Sequence, residues 1–290
     1  MPDSQKQIVQ WFPGHMAKTR RLIKESLPLV DCVTELIDAR IPMSSRNPEL
    51  DELTQRKPRI ILLNKCDMAD DRTTKLWIEY FKAQGKAAIA VDCRSGKGLN
   101  QYHSLVRKVL ADKIKSNEEK GMPGKALRVM VVGIPNTGKS SFINRMAGKS
   151  RAQVADRPGV TRHNQWFAIG NGIELLDTPG VLWPKFDDPE VGDRLSFIGS
   201  VKDEVVDSET MACRLLEVLS KDYSELLCDR YKLNKEDIAE TQPYELLELI
   251  GKKRGMLIRG GEVDTERASV MLLDEYRGGK LGKLSFEKPE

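Results

Sequence analysis

Through roughly the first 180 residues, short apolar runs alternate with segments whose apolar residues recur at helical spacing. That alternation predicts an α/β sheet with helices on its faces. The runs at 32–37, 60–63, 87–91, 129–132 and 173–176 read as strands. Several are β-branched and apolar throughout, as expected for mostly parallel strands covered on both sides. Helical patterns lie between them at 73–84 and 99–114. The polar stretch 115–126, with two glycines and a proline, predicts a flexible connection. After about Lys185 the strand patterns end, and apolar residues take helical spacing at 211–219, 244–250 and 270–276. The chain therefore divides into an α/β domain at 1–185 and a smaller all-helical domain at 186–290. The stripes Leu215, Leu216, Leu219 and Leu246, Leu249, Ile250 predict core. No internal repeat is present.

Composition changes this picture little. With 290 residues, 40% hydrophobic and 31% charged, the chain can bury a real core and is neither disordered nor fibrous. No run of about 18 uncharged apolar residues occurs, so no membrane partner is expected. The first residues, MPDSQKQIVQWF, lack the apolar stretch of a secretory signal. Five cysteines at no metal-binding spacing fit free thiols in a reducing compartment, and a cytoplasmic location is expected. The formal charge of +4 favours no partner by itself.

The chemistry lies in five short motifs. Gly133-Ile134-Pro135-Asn136-Thr137-Gly138-Lys139-Ser140 follows the apolar strand LRVMVV and precedes a helical pattern. This is the phosphate loop in the context it requires: backbone N–H groups and a helix N-terminus, including Thr137, Gly138, Lys139, Ser140 and Ser141, face phosphate oxygens. Lys139 would bridge the terminal phosphates, and Ser140 would give its hydroxyl to Mg2+. Asn64-Lys65-Cys66-Asp67 closes the strand RIILL. A carboxylate there accepts from the guanine N1–H and 2-amino group, donors that adenine lacks, and would be left desolvated and unpaired against adenine. Asn64 can tie this loop to the phosphate loop, and the apolar stem of Lys65 can lie over the purine. A further strand end, Val91-Asp92-Cys93-Arg94-Ser95-Gly96, can offer a backbone N–H to the guanine oxygen. Asp177-Thr178-Pro179-Gly180 is suited to an Asp that holds Mg2+ and a Gly whose N–H senses the terminal phosphate. In Pro158-Gly159-Val160-Thr161, Thr161 can add a hydroxyl ligand to Mg2+. Together the motifs point to a GTPase binding GTP and GDP.

Their order is unusual. The base-reading loops come before the phosphate loop, so the domain reads as circularly permuted, with 115–126 joining the old termini. The cut falls just after Gly180, so the phosphate-sensing loop leads directly into the helical domain, where a nucleotide-dependent movement would be felt.

With these motifs, and with Trp11-Phe12-Pro13-Gly14-His15-Met16 and Asp38-Ala39-Arg40-Ile41-Pro42, the chain resembles the circularly permuted GTPases, closely the ribosome-biogenesis GTPase A family. The resemblance covers nearly the whole chain. It implies a Ras-like P-loop sheet, GTP hydrolysis with Mg2+, and a helical C-terminal domain that helps bind ribosomal RNA. It also implies a role in late maturation of the large (50S) ribosomal subunit, hence a precursor-particle partner of rRNA and ribosomal proteins. Cys93-Arg94 departs from the small residue pair usual at that loop.

Many GTPases carry a Gln shortly after the switch glycine, whereas here Val181, Leu182 and Trp183 follow Gly180. The water-activating group must come from elsewhere, and intrinsic turnover should be slow. Asn136 resembles the residue that holds K+ in potassium-dependent GTPases, or it stabilises its own loop. His15 resembles the family's proposed catalytic histidine; contact with RNA or a helix-capping role fits it equally. His103 and His163 read as surface residues. Basic clusters at His15, Lys18, Arg20, Arg21, Lys24, at Lys252, Lys253, Arg254, Arg259, and at Arg277, Lys280, Lys283 could neutralise phosphates or simply be solvated. A non-catalytic GTP-dependent scaffold and a K+-dependent GTPase of RNA modification remain the alternatives.

Overall fold

A computed structural model of the chain describes residues 15–54, 56–148, 165–183, 186, 188–201 and 207–289. They form two compact units, one taking in residues up to Trp183 together with the tail from Ser285, the other spanning 184–284. The two units part between residues 183 and 184. The tail, however, belongs with the sheet and not with the helices.

The sheet unit opens with α1 (His15–Ser26) and proceeds through β1 (Cys32–Asp38), α2 (Pro48–Thr54), β2 (Arg59–Asn64), α3 (Asp71–Ala83) and β3 (Ala87–Ala90). It continues with α4 (Tyr102–Val109), α5 (Ala111–Glu119), β4 (Leu127–Val132), α6 (Lys139–Ala147), β5 (Gln165–Ala168) and β6 (Ile173–Asp177). The strand order is β3-β2-β1-β4-β6-β5, with the edge strand β5 alone antiparallel. The five parallel strands end at one edge, which brings the loops after β1, β2, β3, β4 and β6 together. The phosphate-loop strand β4 sits at the centre of the sheet, although it is fourth in the chain. A permutation keeps strand neighbours and changes only which loop is cut.

β1 is buried along its whole length, with its side chains split between two layers. On one face Cys32 and Leu36 join Ile60, Leu62, Val129, Val131, Leu175, Tyr102 and Phe142. On the other, Val33 packs with Ile23, Leu50, Met130, Val132, Leu176 and Val181, and Ile37 packs with Ile61, Leu63, Trp77 and Phe81. Helix α3 is capped by Asp70, whose carboxylate accepts from Thr73 N–H at 2.7 Å, a contact worth about 1 kcal/mol.

Three readings need correction. The helical pattern at 99–114 is two helices, α4 and α5, that meet at the buried Leu110. Helix α5 runs on through KSNEE, so the connection to β4 starts only at Lys120, where Gly121 and Pro123 stop it. Strand β5 has no counterpart in the apolar runs, being only four residues long. It is joined to β6 by a tight turn in which Gly170, Asn171 and Gly172 all have positive φ.

The helical unit contains α7 (Pro189–Phe197), α8 (Ser208–Asp222), α9 (Ser224–Tyr231), α10 (Lys235–Glu240), α11 (Pro243–Lys253) and α12 (Thr265–Arg277). Helix α8 packs against α11 and α12 through the buried Leu215, Leu216, Leu219, Leu246, Ile250, Leu272 and Leu273. Leu247 is buried where the pattern favoured Leu249, which is half-buried. Glu275 joins α12 to α9, accepting from Arg230 Nε at 2.9 Å and from Tyr231 Oη at 2.9 Å.

Candidate nucleotide site

The phosphate loop bends between β4 and α6. Gly138 caps α6 with φ +97°, a conformation that disfavours side chains, and a Cβ there would strike the Asn64 amide. Thr137 is fully buried, and its Oγ1 donates to the Ile134 carbonyl at 2.9 Å. Lys139 is buried, with Nζ donating to the Gly133 and Ile134 carbonyls at 3.0 Å each. Burial lowers its ammonium to about 8, against the pull of the Asp177 carboxylate. Asp177 is raised by its own burial, and the Lys139 charge opposes that shift. Ser140 and Ser141 are exposed on the first turn of α6, and Asn136 is exposed with φ +63°.

The Asp177 loop lies against this one. A Cβ on Gly180 would come within 2.9 Å of Pro135 N and 3.1 Å of Lys139 Nζ, so only glycine permits the approach. Thr178 Oγ1 donates to the Val131 carbonyl at 2.6 Å. Beyond Gly180, Val181 and Leu182 are buried, and Asn47 Nδ2 donates to the Val181 carbonyl at 3.2 Å. These residues are core.

At the end of β2, Asn64 is buried and joins three loops. Its Nδ2 donates to the Thr137 carbonyl at 2.7 Å, and its Oδ1 accepts from Cys93 N–H at 2.9 Å. Asp67 Oδ1 is buried and finds no hydrogen-bond partner among the described residues. Its Oδ2 lies 3.5 Å from the exposed Arg94 guanidinium, a contact worth little in solvent. An orphaned carboxylate oxygen at the rim of a parallel sheet fits a ligand carrying N–H donors.

Two expectations change in detail. The N–H groups of the 92–96 loop are engaged internally: Cys93 with Asn64, and Arg94 and Ser95 with the Asp92 carboxylate at 2.9 and 3.2 Å. Asp92 thus shapes its own turn. Burial would raise its carboxyl, but the Ser95 and Arg94 hydrogen bonds hold it below the ordinary range. Lys65, with φ +61°, pairs its ammonium with Asp38 Oδ2 at 2.9 Å, a partner that the motif alone does not indicate.

Thr161 and His163 lie outside the described residues. His15 begins α1, and its side chain is likewise outside them. His103 Nε2 is 2.9 Å from the Ile169 carbonyl, a contact to the β5–β6 turn. Lys18, Arg20, Arg21 and Lys24 are exposed on α1, as are Lys252, Lys253, Arg254 and Arg259 in the helical unit. Arg277 instead donates to the Phe197 and Ser196 carbonyls at 3.0 and 3.1 Å, capping the end of α7.

For Mg2+, the exposed Ser140 hydroxyl and the Asp177 carboxylate are hard oxygen donors at adjoining loops. One carboxylate and one hydroxyl beside a phosphate site suit an ion that takes its remaining ligands from water and phosphate. No helix among the described residues is long and apolar enough to cross a membrane.

Residues 128–251 match the family described as 50S ribosome-binding GTPase. That segment begins at the phosphate-loop strand and leaves out the base-reading loops, which the permutation puts ahead of it. Over 285 residues, 98% of this chain and 95% of the relative, the sequence is 48% identical to ribosome biogenesis GTPase A of Bacillus cereus. GDP-bound YlqF of Thermotoga maritima matches 93% of this chain and 99% of its own at a TM-score of 0.67 and 35% identity. The GNP-bound form of YlqF from the same organism matches at a TM-score of 0.64 and 34% identity, over 94% and 99% of the two chains. With its phosphate loop placed after its base-reading loops along nearly the full length of these relatives, the chain belongs to the ribosome biogenesis GTPase A family, the circularly permuted P-loop GTPases of ribosome assembly.

Proposed function

We propose that the protein hydrolyses GTP while bound to the immature large (50S) ribosomal subunit, late in its maturation, and that the particle accelerates hydrolysis. The observation that carries guanine recognition is the buried Asp67 Oδ1, which has no partner among the described residues, on a loop that Asn64 fastens to the phosphate loop. Asp67 would accept from the base, Lys139 would hold the terminal phosphates, and the Gly180 N–H would sense the third one. Mg2+ would neutralise developing charge between the phosphates. Ser140, Thr161 and Asp177 would hold it.

Particle dependence follows from the residues after Gly180. Val181 and Leu182 are buried and carry no group able to orient water. The missing group would come from His15, brought in with its N-terminal segment, and from K+ held by Asn136. Exposed lysines and arginines of α1 and the helical unit would meet rRNA phosphates, and a cytoplasmic location goes with that partner. Because the chain passes from Gly180 straight into the helical unit, loss of the third phosphate would release the particle.

The test is GTP turnover with and without purified 50S particles, in KCl and in NaCl. Turnover should be slow alone and rise at least tenfold with particles, more in KCl. An equal rate in all four conditions would overturn the reading. Phosphate release at background everywhere would leave a scaffold in its place.

A further inference from the structure

The last residue of β1 is in register with the last residue of β2, Asp38 opposite Asn64, so Asp38 stands beside the base-reading loop. Ala39 N–H donates to the Asn64 carbonyl at 2.8 Å and fixes the two strand ends together. Asp38 is fully buried. Arg40 grips it with both arms of its guanidinium, Nε to Oδ1 at 2.9 Å and an Nη to Oδ2 at 2.8 Å, and is itself 1% exposed. The Asp38 N–H donates to Ser45 Oγ at 2.9 Å, and the Glu287 carboxylate accepts from the N–H groups of Met43 and Ser44. Nothing in this arrangement leaves Asp38 free to move. Onto it comes Lys65, whose ammonium is 2.9 Å from Asp38 Oδ2 and whose side chain is 20% exposed.

Lys65 also carries backbone strain, since φ +61° is a left-handed conformation that side chains disfavour. Such strain persists where the surroundings determine it and concentrates at functional loops. Asp67 follows two residues later, so the turn that sends Lys65 toward β1 also sets where the Asp67 carboxylate stands. Burial would raise the Asp38 carboxyl, but the charges of Arg40 and Lys65 hold it well below the usual carboxylate range. It is therefore an anion throughout the neutral range.

We propose that Asp38 is a positioning residue for the purine: anchored by Arg40, it holds the Lys65 ammonium so that the lysine stem forms the floor on which the base lies. The inference rests on the guanine-binding reading of this site. It assigns the Asp38-Ala39-Arg40 segment a task in nucleotide recognition, exerted through Lys65 and not by contact with the nucleotide.

The test is a double-mutant cycle in the full-length protein, reading Kd for GDP and for tripolyphosphate with Asp38→Asn, Lys65→Met and the two combined. Each single change should weaken GDP about tenfold, and the pair no more than twofold beyond Lys65→Met. Tripolyphosphate, which has no base, should bind all four proteins alike. Independent, multiplying losses would overturn the proposal, as would an Asp38→Asn affinity within twofold of the parent. A tripolyphosphate loss equal to that of GDP would make the role merely structural and overturn it too. Because Asp38→Asn removes a buried charge, a second measurement needs no Asp38 variant. The Lys65 ammonium resonance, assigned by its loss in Lys65→Met, should exchange with water far more slowly than those of exposed lysines, and equal rates would refute the anchor. ADP binding to the parent separates the two readings. Affinity equal to that for GDP defeats guanine selection, while the Asp38–Lys65 coupling is still measured on whichever purine binds.

Discussion

The Asn64 amide spans the gap between the base-reading loop and the phosphate loop, its Nδ2 donating to the Thr137 carbonyl at 2.7 Å. Its other end accepts from Cys93 N–H, so one buried side chain sets the relative position of three loops. Asn64→Ala removes two buried hydrogen bonds and leaves a buried carbonyl and a buried N–H without partners, a cost of about 2–4 kcal/mol. Thermal melting should record that loss, and GDP affinity should fall by at least tenfold. Gly138→Ala should do the same from the other side, since its Cβ would displace the Asn64 amide. Unchanged melting and affinity in both variants would show that the three loops hold their places without this bridge.

Gly180 approaches the phosphate loop closely enough that a methyl group would meet Pro135 N at 2.9 Å and Lys139 Nζ at 3.1 Å. Gly180→Ala must therefore push the Asp177 loop outward while leaving the base-reading loop untouched. The expected outcome is a split: GDP affinity within threefold of the parent, and particle-stimulated GTP turnover reduced at least tenfold. Equal losses in both would mean that the methyl group disturbs the whole phosphate loop.

Lys139 gives a pH signature. Burial depresses its ammonium to about 8 in this structure, with Asp177 pulling the other way. Phosphate oxygens in place of the Gly133 and Ile134 carbonyls favour the charged form and raise its pKa. From about pH 8 to about pH 10, free protein holds fewer protons at this site than bound protein, so binding takes a proton up. GDP affinity should fall as pH rises through that window, by at most about tenfold per pH unit. Calorimetry at about pH 8.5 in two buffers of different ionisation enthalpy should show uptake of up to one proton. The same heat in both buffers would rule it out.

The sheet and the motif loops are legible in the sequence because their signals are local. β2 and β4 are apolar apart from Arg59, Asn64 and Arg128, β1 is apolar on either side of Thr34 and Glu35, and the Asn64, Gly133 and Asp177 motifs sit where their strands stop. What escapes notice depends on pairing at a distance. Asp38 meets Lys65 only because two strands fall into a particular register, which neither segment specifies alone. The 115–119 stretch looks like a linker by polarity, yet its Lys and Glu residues favour the helix, which runs to Glu119. Strand β5 is too short for a periodic pattern, although Gly170-Asn171-Gly172 between two apolar segments is a hairpin signal. Arg277 looks like part of a basic patch until its carbonyl partners on α7 are seen.

The C-terminal tail is least legible of all, and it makes a separate prediction. The chain leaves the sheet unit after Trp183, forms the helical unit, and re-enters the sheet unit at Ser285. There Phe286 N–H donates to the Arg40 carbonyl at 2.8 Å, and Trp77 Nε1 donates to the Glu287 carbonyl at 3.1 Å. The Glu287 carboxylate accepts from Met43 N–H at 2.6 Å, from Ser44 N–H at 3.0 Å, and from the Ser44 hydroxyl. Charge-assisted bonds to a largely buried carboxylate are stronger than neutral ones, and losing it leaves two backbone N–H groups unpaired. Glu287→Ala should therefore destabilise the sheet unit by about 2–4 kcal/mol, and Glu287→Gln, which keeps one acceptor, by roughly half as much. Deleting 285–290 should cost at least as much and also uncover Trp77, which is 2% exposed. Its fluorescence should then shift to longer wavelength under conditions where the sheet unit stays folded. Lys288→Ala, at an exposed position, serves as the control and should leave the urea midpoint and the emission spectrum unchanged. A truncated protein with the parent's midpoint and spectrum would show that the tail lies on the sheet unit without supporting it.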